Sequence, residues 1–412
     1  MRLRLSASDV FHHLVHGMIR RQGGRGNYGQ FRIRLGPGLD VQALIQAWTQ
    51  ASQRMWPLRA RVVGWNWAIP TDSRALPVAR SNQLLDAAAM QDLRQGLGVR
   101  EQARLTIASD GVLVTWRHTL MDARGMQILL SQLAGGVREP WWQANYRGHP
   151  EIPARAAERG RAAQATIPLL RPDRLAPLLR PAGMRGNAAA PIHTHSTVLG
   201  AQTEHVDARI RSSVGRFGET AFLLAAVAAA LAEQSLEKSA GNVLFPLAAD
   251  SRRPHETRSL ANAHGFVFLS VPGELARRDL RAAAVHLRDA HKAWVAADGT
   301  RSLMSSISWM PLLGERLSRN QIGYGHAGLH ASACVANAGR SVLTGPWFGA
   351  DIQGIDHTAT VPGHPGVAVL FHRDDRGLGW DTVITGRLVR RLSPAALAER
   401  IRWHLVERPL AP

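Results

Sequence analysis

The chain has 412 residues, of which 45% are hydrophobic and 20% charged. These are ordinary globular values that exclude a disordered chain, a collagen-like fibre and a disulfide scaffold, and the length suggests roughly two to three domains. A single cysteine, Cys334, gives no internal bridge, and the net charge of +19 comes from 48 arginines and two lysines scattered without a basic block, so anionic partners are expected but not nucleic acid.

Residues 31–35 alternate like a strand, and Gly36-Pro37-Gly38 turns the chain. Val41, Leu44, Ile45, Trp48 and Ala51 then mark one helical face. Leu58–Val63 reads as a strand. Residues 103–108 and 112–118 read as two strands joined by the turn Ser109-Asp110-Gly111. From Asp122 the period changes: Met126, Leu129, Leu130 and Leu133 form a helical stripe ending at Gly135-Gly136. Residues 150–190, rich in Pro, Arg, Ala and Gly, read as a crossover or linker.

Strand and helix then alternate again. A strand is expected near 193–199, helices at 207–217 and 219–235, strands at 243–248 and 265–271, and a long helix at 275–296. Residues 366–372 and 378–386 form a hairpin across Asp374-Asp375-Arg376-Gly377, and a last helix, 394–406, opens with Ser393 as N-cap and Pro394 in its first turn. The longest apolar run, Ala221–Ala232, has 12 residues. A bilayer span needs about 20, so a buried core helix is expected there. The N-terminal stretch has no unbroken apolar segment of signal-peptide type, and a cytoplasmic protein is expected.

The stretch with most chemical content is Trp116-Arg117-His118-Thr119-Leu120-Met121-Asp122-Ala123-Arg124-Gly125. It puts an imidazole at a strand end and an aspartate four residues later, where a helix begins. A base for an alcohol or amine should titrate near neutral pH, which favours histidine. By itself an HxxxD is equally an N-cap after a polar strand end.

Other candidates are weaker. His12 and His16 stand at i, i+4, a spacing that suits zinc on a helix, but no HExxH glutamate or third ligand accompanies them. No metal site is expected. Cys334 reads as a small buried side chain rather than a nucleophile. RQGGRGNYGQ fits no phosphate-binding loop and reads as a flexible surface loop. Trp141, Trp142 and Trp347 fall in loops where they would line a channel.

With its context the stretch resembles a family: the acyltransferases and condensation enzymes that share the chloramphenicol acetyltransferase fold. The resemblance runs in order along nearly the whole chain. Arg54-Met55-Trp56-Pro57-Leu58-Arg59-Ala60 is similar to the family's R-H-P-x-L-R-A, and Arg117 to Ala123 is similar to its HHxxxDG. Asp250-Ser251-Arg252-Arg253 resembles an Arg-bearing segment after a strand, and Ala336-Asn337-Ala338-Gly339 resembles the second-half S-N-x-G loop.

The resemblance implies an α/β pseudo-dimer of two subdomains, 1–180 and 181–412, with a channel between them. It implies acyl transfer from a thioester, either acyl-CoA or the phosphopantetheine of an acidic acyl carrier protein, to an alcohol or amine. His118 would be the general base. Asp122 would orient it through a salt bridge, for which Arg59 is the expected partner, and donors near Asn337 would face the oxyanion. No bound cofactor is implied, and bacterial secondary metabolism is the setting. Two departures stand out: Arg117 replaces the motif's first histidine, and Ala123 its glycine. They leave room for two alternatives: a stand-alone amide-forming condensation enzyme on carrier-bound substrates, and a catalytically inactive binding module of the same fold.

Overall fold

Two six-stranded sheets, whose central strands are buried on both faces, collect the apolar side chains into separate cores. The computed structural model describes residues 2–72, 75–134, 192–234, 241–250, 252, 260–318, 331–363, 365–386, 388–389 and 392–410. In chain order the strands are β1 (Arg2–Arg4), β2 (Tyr28–Leu35), β3 (Arg61–Val63), β4 (Asn66–Ala68), β5 (Val78–Arg80), β6 (Ala103–Ala108), β7 (Gly111–Arg117) and β8 (Ile192–Val198). They continue with β9 (Asn242–Asp250), β10 (His264–Pro272), β11 (Cys334–Arg340), β12 (Pro346–Trp347), β13 (Ala350–Ala359), β14 (Val367–Asp374) and β15 (Gly377–Thr385). The helices are α1 (Ala7–Arg21), α2 (Val41–Arg54), α3 (Trp56–Arg59), α4 (Leu85–Gln95), α5 (Ala123–Leu133) and α6 (Thr203–Val214). After these come α7 (Glu219–Gln234), α8 (Gly273–Arg278), α9 (Leu280–Ala296), α10 (Gly299–Ser308) and α11 (Pro394–Val406).

The first sheet runs β12-β13-β2-β7-β6-β5 and the second β10-β9-β11-β14-β15-β8. A small sheet, β1-β4-β3, lies apart. The two halves are therefore not separable at one point of the sequence. Strand β13, from the second half, pairs antiparallel with β2 of the first, with Ile355 opposite Ile33 and His357 opposite Phe31. The expected 180/181 boundary lies outside the described residues.

Buried polar side chains also cross between the sheets. Arg32 of β2 is hydrogen-bonded to Asp381 of β15 and to Ser196 of β8. Asp356 of β13 accepts from Arg34 at 3.0 Å and from Arg376 at 2.8 Å. Arg32, Asp356 and Asp381 are removed from water and each is paired, as burial requires.

Periodicity explains most of the elements. Leu44, Trp48 and Ala51 of α2 are all fully buried. Helix α7 is apolar all round, and every residue from Ala221 to Leu231 is buried, as expected of a core helix. Among the described residues no single helix is long and apolar enough to cross a membrane. Helix α11 has the expected bounds and the Ser393 cap.

Several expectations are corrected. Leu58–Val63 is not one strand: Pro57 opens the single turn α3, and only Arg61–Val63 is extended. The helix expected at 275–296 is broken at Asp279, whose extended backbone lets its carboxylate cap Ala282. Tyr28, Gly29 and Gln30, expected in a surface loop, are buried in β2. Gly29 is required there because a Cβ would fall 2.4 Å from the Trp116 ring. Trp347 does not line a channel; it is buried and donates through Nε1 to the Leu130 carbonyl at 3.0 Å. The expectations for Trp141, Trp142 and residues 150–190 lie outside the described residues.

Candidate active site

His118 follows the last residue of β7, and its backbone N–H donates to the Asn27 carbonyl at 3.1 Å. Its ring stacks on His12 of α1, with centroids 4.9 Å apart and planes 12° from parallel. Asn27 Nδ2 lies 2.9 Å from His12 Nδ1, so the loop after α1 holds the second imidazole in place. Trp116, two residues before His118 on the buried face of β7, donates its indole N–H to the Met121 carbonyl at 2.9 Å. That bond closes the turn between His118 and Asp122.

Asp122 caps α5, and its carboxylate accepts from three donors among the described residues. Oδ1 accepts from the Gly125 N–H and from Arg252 Nη2, both at 2.7 Å, and Oδ2 accepts from the Ala263 N–H at 2.9 Å. Two of the three come from the second half. Arg252 also donates to the Ala261 carbonyl at 2.9 Å and to Asp250 at 3.0 Å. Burial lowers the Arg252 pKa, but Asp122 and Asp250 outweigh it, and the guanidinium is held above its usual range.

This arrangement corrects one expectation. Arg59 does not reach Asp122; its guanidinium is hydrogen-bonded to the Asp72 carbonyl, and Arg252 takes the place by the aspartate. Asn262 ties the same region together by donating to Asp9 of α1 and to the Thr119 carbonyl, each at 2.9 Å.

A cavity of about 410 Å³ opens beside these residues. First-half residues on its wall include His12, His118 and Ala123; β10, β11 and β14 contribute Phe266, Asn337 and Leu370. Asn337 therefore borders the same space as His118. Its amide, however, donates to Thr220 Oγ1 at 3.2 Å, and its Oδ1 accepts from the Gly339 N–H at 3.0 Å. Cys334 also lines the cavity, and burial pushes its thiol up to about 12. It is protonated at neutral pH and a poor nucleophile.

The two departures from the motif have local explanations. Arg117 points away from the cavity, donating to the Glu101 and Gly98 carbonyls at 2.8 Å each. It lines a separate pocket of about 610 Å³ together with Arg20, Arg25 and Arg61, and among the described residues no carboxylate side chain lines it. The close backbone approach falls at Gly125, where a Cβ would lie 2.5 Å from the Leu260 carbonyl oxygen. Ala123 is thus free to carry a side chain.

Sequence reasoning missed His12 as a neighbour of His118, although its spacing with His16 drew attention to it. It also missed Asn27, Asn262 and His357, for which no local signal exists. Among the described residues no group of three or more His, Cys, Asp or Glu is arranged to hold a metal ion.

Comparison with known proteins identifies the architecture. No protein-family model and no curated protein matches the sequence. Solved structures do match along the whole chain. The first condensation domain of the calcium-dependent antibiotic synthetase superposes with a TM-score of 0.71 at 16% identity, covering 100% of this chain and 98% of that one. The trichothecene 15-O-acetyltransferase TRI3 of Fusarium sporotrichioides gives 0.69 at 12% identity, covering 98% and 95%. Polyketide synthase associated protein 5 of Mycobacterium tuberculosis gives 0.62 at 16%, covering 98% and 97%. The chain has the chloramphenicol acetyltransferase-like condensation fold. In that two-lobed condensation fold the His118 cavity lies where residues of both halves meet.

Proposed function

We propose that this condensation-fold protein transfers an acyl group from a thioester donor to an alcohol or amine, with His118 as the general base. The observation that carries the reading is the position of His118: its imidazole borders a cavity walled by both halves, while Asp122 beside it is fixed by Arg252. The structural neighbours, an O-acetyltransferase among condensation domains, support acyl transfer in general.

In the proposed step His118 takes the proton from the acceptor O–H or N–H as that atom attacks the thioester carbonyl carbon. A C–O or C–N bond forms, the C–S bond breaks, and the proton passes from the imidazolium to the departing thiolate. A base placed in this way contributes about 10²–10⁴-fold. No acyl-enzyme is invoked, in keeping with a Cys334 thiol that stays protonated. Asp122 acts through the loop it anchors, since its oxygens are engaged by Gly125, Arg252 and Ala263. An oxyanion role for Asn337 would require its amide to leave Thr220 when substrate binds.

The donor is proposed to be acyl-CoA or an acyl carrier protein, both anionic, which suits a chain of net charge +19. Neighbours from peptide- and polyketide-forming systems support a setting in secondary metabolism. The test is direct. Purified protein is offered acetyl-CoA, longer acyl-CoAs and acyl-loaded carrier protein with a panel of alcohols and amines, and free thiol and product mass are measured. Acceptor-dependent thiol release is expected; its absence across the panel contradicts the reading.

A further inference from the structure

The pocket of about 610 Å³ that Arg117 enters shares no described lining residue with the His118 cavity. Arg20 in the last turn of α1, Arg25 in the loop after it and Arg61 of β3 are exposed and line it too. A basic residue at a helix C-terminus suits the dipole, which accounts for Arg20 alone. Among the described residues none of the four arginines forms an ion pair. Two carboxylates stand close by, but neither lines the pocket. Glu101 is held by Arg104 and by the Gly98 N–H at 2.8 Å, and Glu315 lies 3.6 Å from His13 Nε2. Arg117 is half-buried, and the hydrogen bonds of its guanidinium go to backbone carbonyls. Burial pushes its pKa down; Tyr28 and Glu101 oppose this, and the charge of Arg20 adds to it. A charge drawn from water in this way calls for a counter-charge.

The wall of the pocket also sets two donors against each other. His16 Nδ1 accepts from the Asn27 backbone N–H at 3.1 Å, so the proton of the neutral ring sits on Nε2. That nitrogen lies 3.2 Å from Arg117 Nη1, and a guanidinium has no acceptor. An anionic oxygen placed against the pair accepts from both, in the strong charge-assisted form. Four positive charges around one space call for a compact polyanion. A phosphate monoester carries a charge of about −1.5 to −2 and several acceptor oxygens, where a carboxylate carries a single charge, and the guanidinium fork matches phosphate oxygens two at a time. We propose that this arginine pocket binds a multiply charged phosphate compound, at a site separate from the His118 cavity. The proposal stands whether or not that cavity performs acyl transfer.

Calorimetric titration of the full chain tests this with three probes: pyrophosphate, citrate and adenosine 3′,5′-bisphosphate, the phosphorylated head of coenzyme A. Each is titrated into wild type, into the double variant Arg20→Ala with Arg61→Ala, and into a control, Arg277→Ala with Arg281→Ala, which removes the same charge from exposed positions elsewhere. Thermal melts verify folding, and the single variant Arg61→Ala serves if the double variant does not fold. Pyrophosphate is expected to bind wild type at one site per chain. Its affinity should fall at least about tenfold in the pocket variant, the effect of losing a charge-assisted hydrogen bond, and stay unchanged in the control. Citrate should bind at least about tenfold more weakly than pyrophosphate, as its charge is spread over three carboxylates. No binding of pyrophosphate, an equal loss in the control, or citrate binding as tightly overturns the proposal. Adenosine 3′,5′-bisphosphate binding about tenfold more tightly than pyrophosphate would make the pocket part of a coenzyme A site and overturn its separateness; equal or weaker binding supports a ligand of its own.

Discussion

Arg252 and Asp122, 130 residues apart, meet at 2.7 Å across the junction of the two halves. Their side chains are 4% and 11% exposed, so the pair works in a poorly solvated place. Asp122 also caps the helix that follows the His118 turn. One ion pair therefore couples the docking of the halves to the placement of the proposed base. Removing one partner of a buried pair leaves a desolvated charge and costs about 3–5 kcal/mol, whereas replacing both by apolar groups is often neutral. Arg252→Met is expected to lower stability by that order in chemical denaturation. The double variant Arg252→Met with Asp122→Leu should recover part of the loss in stability but none of the activity.

Gly125 has a more local role. Any side chain there meets the Leu260 carbonyl oxygen at 2.5 Å. Backbone is not easily displaced, so Gly125→Ala is expected to destabilise the protein by about 1–3 kcal/mol through overpacking. Ala123→Gly, at the position where the family motif has its glycine, should leave activity intact, because the close approach does not occur there. A melting curve and a turnover assay on each variant check both statements.

Acid should unfold the protein partly through Glu233. Burial raises its pKa, but the hydrogen bonds and charges of His404 and Arg400 outweigh that and hold the carboxyl down at about 2, against an ordinary value of 4.5. A depressed carboxyl contributes stability that is present above the unfolded value and is lost as pH falls toward the folded one. Stability measured between pH 5 and pH 2 should therefore fall less steeply in Glu233→Gln than in wild type.

Cys334 is expected to resist alkylation. With its thiol pushed up to about 12, almost no thiolate exists at pH 7.5. Iodoacetamide should label the native protein slowly and the unfolded protein fast, and Cys334→Ala should retain acyl transfer.

What the sequence made legible was local. Asp122 could be placed as a helix cap because the stripe Met126, Leu129, Leu130 and Leu133 follows it at helical spacing, and α7 could be placed in the core by its unbroken apolar run. The Arg59 assignment failed for a physical reason. An ion pair depends on where two strands end, and the chain between Asp122 and Arg252 is long enough to allow many partners. Arg252 stood in a segment already noted for its arginines, but nothing within that segment specifies which one turns toward Asp122. His357 was hidden in the same way. Its presence in the cavity follows from the pairing of β13 with β2, a register that no periodicity in residues 350–359 records.

The central claim is that the His118 imidazole removes the acceptor's proton. Its most direct test is the turnover of His118→Ala beside wild type, with a thioester donor and acceptor that wild type uses and with matching melting curves for the two proteins. The account predicts a fall of about 10²–10⁴-fold in kcat with folding preserved. A folded His118→Ala protein that turns over at the wild-type rate would contradict it.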